Sequence, residues 1–270
     1  MISVEIDRTE IERQALRLRS KHNIHTYGVK DVFGLVAHSG IHLIRYPFGR
    51  DRLLGFSTLF QGNEIIVTNS SEILSREIFT TAHELGHVIY DFRDRSTAIR
   101  IDIETPESPE DVSETRAFHF ANCLLMPEEQ VRSYIKFELK KRPPDIEEFD
   151  VVRMQLEFQV SFSAIVLRLN ELEMISPPHK SRLFERRDTP TSQALFKKLD
   201  ADERLLRPAN VTEVPQDYLE YVISNYQRGY VPYASLQRAL ALIGMDAEIF
   251  RTEAPDEQGL DLEAIFQEFE

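Results

Sequence analysis

The sequence predicts an α+β fold, with a small antiparallel sheet leading into buried helices and a helical remainder. Three observations carry that prediction. Runs dense in β-branched and apolar residues fall at Ile41–Tyr46, Leu53–Phe60 and Asn63–Thr68, the first two joined by a loop containing Pro and Gly. Two longer segments, Ile73–Ile89 and Ser113–Leu125, space apolar residues as one face of a helix does. From Ile146 onward the patterns are helical.

Taken in order, the stretch up to about Arg19 carries helical charge patterning with modest apolar periodicity. Lys30–His38 reads as a helix stopped by Ser39-Gly40, and the three strands follow. Asn69-Ser70-Ser71 offers N-cap chemistry for the next helix, with Glu72 in its first turn. Ile73, Leu74, Ile78, Phe79, Ala82, Leu85 and Ile89 give that helix a broad apolar surface. Gly86 costs helix propensity and lets another backbone approach closely. Residues 94–112 are polar and read as a loop, either a gate or a surface excursion. A second helix is capped by Ser113 and ended by Pro127, with Ala117, Phe120, Ala121, Leu124 and Leu125 as its stripe.

The chemistry sits at His83-Glu84-Leu85-Gly86-His87. Residues four apart share one helix face, so both imidazoles can bind one ion. Zn²⁺ accepts neutral imidazole and tolerates an open position, although such a site takes other divalent ions too. Glu84 is rotated about 100° from His83, where its carboxylate reaches the attacking water rather than the ion, as a general base must. Catalytic zinc sites have three protein ligands, so a third is needed. Glu114, in the first turn of the second helix beside its buried stripe, is a carboxylate that requires a partner. Asp91, four residues after His87, is placed to orient that imidazole. Tyr90 and His119 are candidates for stabilising the oxyanion, although His119 lies about 140° around the helix from Glu114.

Phe79-Thr80-Thr81-Ala82-His83-Glu84-Leu85-Gly86-His87, followed by Glu114-x-x-Ala117-x-x-Phe120-Ala121-x-x-Leu124-Leu125-Met126-Pro127, resembles the ImmA/IrrE metallopeptidases. The resemblance runs from about residue 25 to about 175. It implies a zincin-like domain with His83, His87 and Glu114 as zinc ligands and Glu84 as catalytic base. It further implies a sheet edge that accepts substrate backbone as an added strand. The chain departs from the family at Phe118-His119, where members often carry a small polar pair. Three regions are expected: a zinc metallopeptidase domain over 1–140, a helix-turn-helix-like region over 141–178, and a C-terminal helical region with an acidic tail over 179–270.

The helix-turn-helix resemblance rests on Phe158-x-Val160-Ser161-x-x-Ala164-x-x-x-Arg168-Leu169. Its second helix, Phe162–Leu172, has one basic residue, Arg168, and apolar positions that want burial. With a net charge of −13 and a pI near 5.2, the surface repels phosphate backbones and favours a basic partner, so direct DNA binding is not expected. Beyond Pro177-Pro178 come a basic stretch, Lys180–Arg187, a polar connection, and helices at Pro215–Gln227 and Tyr233–Ile243. The tail from Asp246 holds nine acidic residues and reads as a solvated end.

No apolar run reaches 18 residues, the start lacks a signal-sequence pattern, and Cys123 is the lone cysteine. These point to a cytoplasmic protein without a membrane span. The expected activity is zinc-dependent endoproteolysis of narrow specificity. From the resemblance, its substrate is a partner helix-turn-helix repressor whose cleavage releases stress or mobile-element genes. The alternative is a regulator that binds and sequesters a repressor or toxin without cutting it. The intact Glu84 argues against that alternative, because a purely structural site does not require a base.

Overall fold

This computed structural model describes residues 6–50, 53–60, 62–92, 99–102, 112–185, 189–199 and 201–251. The fold is α+β. The chain forms two compact units, Met1–Val214 and Pro215–Glu270.

The first unit begins with helix α1 (Arg8–Lys21), capped by Asp7, and α2 (Val32–His38), capped by Asp31. Strands β1 (His42–Tyr46), β2 (Gly55–Phe60), β3 (Asn63–Asn69) and β4 (Ile99–Asp102) form one sheet in the order β1-β3-β2-β4. The expected antiparallel pairing is present between β2 and β3, where Gly55 faces Thr68 and Phe60 faces Asn63. However, β1 joins β3 in parallel, His42 beside Ile65 and Tyr46 beside Asn69, so the sheet is mixed. The short hairpin commits β2 to one side of β3. The other side, with strand direction shared, is what remains for β1. Within the polar segment 94–112, Ile99–Asp102 is a strand rather than loop, antiparallel to β2. Four residues of apolar and charged alternation are too short to stand out from a polar context. Thr105–Asp111, the centre of the stretch expected as a gate or a surface excursion, lies outside the described residues.

Helix α3 (Leu74–Asp91) follows β3, but not with the expected cap. Its N-cap is Ile73, and the amide of Leu74 donates to the carbonyl of Arg207 at 3.0 Å. The polar run before it closes loops instead. Asn69 accepts from the amides of Phe48 and Ser71, and the Ser70 hydroxyl donates to the Val211 carbonyl. A chain segment from more than 130 residues downstream thus satisfies a helix-end donor. The first turn is further fixed by a buried ion pair. Arg45 of β1 donates two hydrogen bonds of 2.8 Å to Glu77, to which Thr68 of β3 also donates at 3.0 Å. Arg45 lies over the Phe33 ring and reaches Glu213 as well.

Helix α4 (Val112–Leu125) packs along α3. The crossing is close at Gly86, where a Cβ would lie 2.9 Å from the Cα of Ala117. The remaining helices of this unit are α5 (Glu128–Tyr134), α6 (Glu148–Phe158), α7 (Phe162–Glu171), α8 (Pro177–Phe184) and α9 (Thr189–Lys198). They bury Val152, Phe158, Ile165, Leu169, Leu183 and Phe196 in the same core as Leu85 and Leu124. The stretch after Arg187 that reads as polar connection contains α9, whose Leu195 and Phe196 are buried.

α6 and α7 are joined by a short turn with Gln159 in the left-handed conformation, and Ser161 caps α7. Arg168, the basic residue of α7, is buried, donating to the Met126 carbonyl and to Glu171. It is committed to the interior. The second unit holds α10 (Gln216–Gln227) and α11 (Tyr233–Ala241), close to the expected bounds, around Leu236, Leu240 and Ala247. Residues 252–270 of the acidic tail lie outside the described residues.

Two consequences are measurable. Gly86→Ala forces α3 and α4 apart, and chemical denaturation should show a loss of about 1–3 kcal/mol. Arg45→Met leaves Glu77 buried without its guanidinium and should cost about 3–5 kcal/mol, with much of that loss recovered when Glu77→Gln is added.

Candidate metal centre and active site

His83 and His87 lie one turn apart on α3, and their Nε2 atoms are 3.0 Å from each other. Glu114, in the first turn of α4, brings Oε2 to 3.1 Å from His83 Nε2 and Oε1 to 3.2 Å from His87 Nε2. Three side chains from two helices thus converge on one point. The close packing at Gly86 and Ala117 sets the separation of the helices that makes this possible.

His87 is held from behind. Its Nδ1 lies 2.6 Å from Asp91 Oδ2, one turn further along α3. Asp91 in turn accepts hydrogen bonds from Ser113 and Arg116 of α4. Ser113, expected as the cap of α4, sits inside the helix and spends its hydroxyl on Asp91. The Arg116 guanidinium also lies 5.1 Å from the centre of the Tyr90 ring. Neither Ser113 nor Arg116 is conspicuous in the sequence as a site residue. The available signal is that both flank Glu114 on a helix already paired with the motif helix.

The electrostatics favour positive charge here. Burial works against a charged His87, but hydrogen bonds to Asp91 and Glu114 and the nearby Glu84 carboxylate outweigh it, raising the imidazole to about 10. Hydrogen bonds from His83 and His87 hold the Glu114 carboxyl well below the usual carboxylate range. Burial opposes ionisation of Asp91, yet His87, Ser113 and Arg116 lower its carboxyl to about 2. The carboxylates of Glu84, Asp91 and Glu114 thus surround the two imidazoles with negative charge, which suits the cluster to a cation.

Glu84 is fully buried. Its Cγ lies beneath β2, where a Cβ at Gly55 would come within 3.6 Å of it. Beside the cluster, Phe79 and Phe118 sit one turn before His83 and one turn after Glu114, their ring centres 5.2 Å apart. They line a cavity of about 340 Å³ with Ile73, Ala164 and Leu167. Tyr90 packs its ring against Phe120, 5.9 Å between centres. His119 faces away from the cluster: Nδ1 lies 3.2 Å from Glu171 and Nε2 lies 3.6 Å from the Cys123 sulfur. Burial pushes the Cys123 thiol up to about 12, far from a reactive thiolate.

Among the described residues no helix is long and apolar enough to cross a membrane. No curated protein matches the chain. Residues 36–170 match the model of the peptidase M78 family, described as the IrrE N-terminal-like domain. The matched span takes in the sheet, α3 with its two histidines, and α4 with Glu114. Since the match covers half of its length, the chain belongs to this family, the ImmA/IrrE metallopeptidases.

Proposed function

We propose that the chain is a zinc-dependent endopeptidase of narrow specificity, acting in the cytoplasm on a partner transcriptional repressor of the helix-turn-helix type. The observation that carries this reading is the convergence of His83, His87 and Glu114 within 3.0–3.2 Å of one another. Two imidazoles and a carboxylate are the donor types of hydrolytic zinc centres. Bonds of about 2.0–2.1 Å at tetrahedral angles put such donors about 3.3 Å apart. The residues present fit the ion. His83 and His87 would hold it through Nε2 and Glu114 through its carboxylate, with Asp91 keeping His87 in the tautomer that presents Nε2. When bound, zinc supplies Lewis acidity for water activation and carbonyl polarisation near neutral pH.

The chain's own residues do the rest. Glu84, next to His83 and shielded by β2, takes the proton of the attacking water on its carboxylate and returns it to the leaving amine. Its burial excludes bulk water from the proton's path. The cavity at Phe79 and Phe118 suits an apolar side chain beside the scissile bond, which supports narrow rather than general cleavage. The net charge of −13 suits a basic partner. Arg168 of α7 is buried, which supports a protein substrate over direct DNA binding.

Glu84→Gln should retain metal and fold while cleavage falls by at least about 100-fold, the lower range for a general base. Full activity in that variant would remove Glu84 from the mechanism. Glu114→Ala should lose tightly bound zinc by elemental analysis; unchanged occupancy would point to another ligand. The substrate reading is tested by capturing partners on Glu84→Gln in the native cell and treating them with zinc-loaded wild-type protein. A discrete cut in a DNA-binding partner, seen by intact mass and absent with the variant, supports it. A partner held equally by both forms and left uncut favours sequestration.

A further inference from the structure

On the opposite side of α4 from Glu114 lies a second set of metal-ligating side chains. His119 is about 140° around the helix from Glu114 and Cys123 about 180°. The two are one turn apart on α4, and both are buried. Glu12 reaches them from α1. The donor atoms of Glu12, His119 and Cys123 all lie within 4.8 Å of one another.

The contacts of His119 separate its two nitrogens by role. Nδ1 lies 3.2 Å from Glu171 Oε1, which accepts its proton. In the neutral ring Nε2 is then the lone-pair nitrogen, and it faces the Cys123 sulfur at 3.6 Å and Glu12 Oε1 at 4.0 Å. A carboxylate behind an imidazole, orienting the other nitrogen, is how metal-binding histidines are held. Bonds of about 2.3 Å to sulfur and 2.0–2.1 Å to nitrogen at tetrahedral angles place S and N about 3.5 Å apart, close to the spacing present. Glu12 is partly exposed, so its side chain is not locked by packing. A cavity of about 370 Å³ opens against Glu12 and Cys123, giving an ion access and room for a water as further ligand.

We propose that Glu12, His119 and Cys123 form a second transition-metal site, for a thiophilic divalent ion of the Zn²⁺ class, pinning α1 to α4. Charge balance agrees. A thiolate and a carboxylate neutralise the ion, with the thiol proton released to solvent on binding. The nearby Arg168, 3.8 Å from the sulfur, already has its charge compensated by Glu171 at 2.8 Å. The donors combine sulfur, nitrogen and oxygen, whereas the cluster on α3 offers only nitrogen and oxygen. The two sites are therefore distinguishable by spectroscopy, and the second does not depend on the peptidase reading.

The test is a titration of metal-free full-length protein with Co²⁺ under reducing conditions. A thiolate-to-cobalt charge-transfer band in the near ultraviolet reports this site alone, because Cys123 is the chain's lone cysteine. The band should saturate, be displaced by Zn²⁺, and persist in Glu114→Ala. It should vanish in Cys123→Ser. Glu171→Gln should weaken cobalt affinity by about 10- to 100-fold, as loss of a carboxylate behind a ligating histidine does. If Cys123→Ser does not fold, His119→Gln carries the same comparison, with the band lost or strongly weakened. No charge-transfer band in wild-type protein at saturating Co²⁺ overturns the proposal. So does a band of undiminished intensity and affinity in both His119→Gln and Glu12→Gln.

Discussion

Helices α3 and α4 cross at a separation that a side chain at residue 86 would not permit, since its Cβ would lie 2.9 Å from the backbone of Ala117. That spacing is the constraint on which the site depends. Glu114 lies three residues before Ala117, and His83 and His87 lie three residues before and one after Gly86. A close crossing at the middle pair therefore carries the carboxylate to within 3.1–3.2 Å of both imidazoles. Asp91 extends the same logic toward the end of α3, where Ser113 and Arg116 fasten it from α4. The donor cluster and the helix packing are one piece of structure, and neither can loosen alone.

The other end of α3 is anchored by polar groups from distant parts of the chain. Arg45 ties β1 to Glu77 within the interior, and the Arg207 carbonyl receives the amide of Leu74. The buried ion pair is expensive to desolvate, so its contribution is to fix register between sheet and helix rather than to add much stability. With β2 seated over Glu84 through Gly55, the sheet and α3 hold a fixed relation beside the two histidines.

Much of this was legible in the sequence for a definite reason. His83, Glu84 and His87 are related by helix geometry alone, which spacing encodes directly. Glu114 could be found because an ionisable residue beside an apolar stripe requires a partner. Gly86 was legible as a close contact, although not which residue it meets. The hairpin of β2 and β3 follows from adjacent strand patterns, but the parallel placement of β1 does not, since pairing order is not a local property. The start of α3 misleads because its donor is satisfied by Arg207, while Ser70 and Asn69, which look like caps, close loops instead. Arg168 could be read as a basic residue on a recognition helix; its burial against Met126 and Glu171 is a tertiary fact. Helices α6–α9 share one hydrophobic core with α3 and α4, a tertiary relation that local patterns do not encode.

The central claim is that one ion is held jointly by α3 and α4. Anomalous diffraction at the zinc edge, from crystals of zinc-loaded protein, tests it most directly. The expected result is a peak bonded to Nε2 of His83, Nε2 of His87 and the carboxylate of Glu114, with Asp91 still on His87 Nδ1. Zinc-loaded crystals with no anomalous density among those three side chains would contradict it.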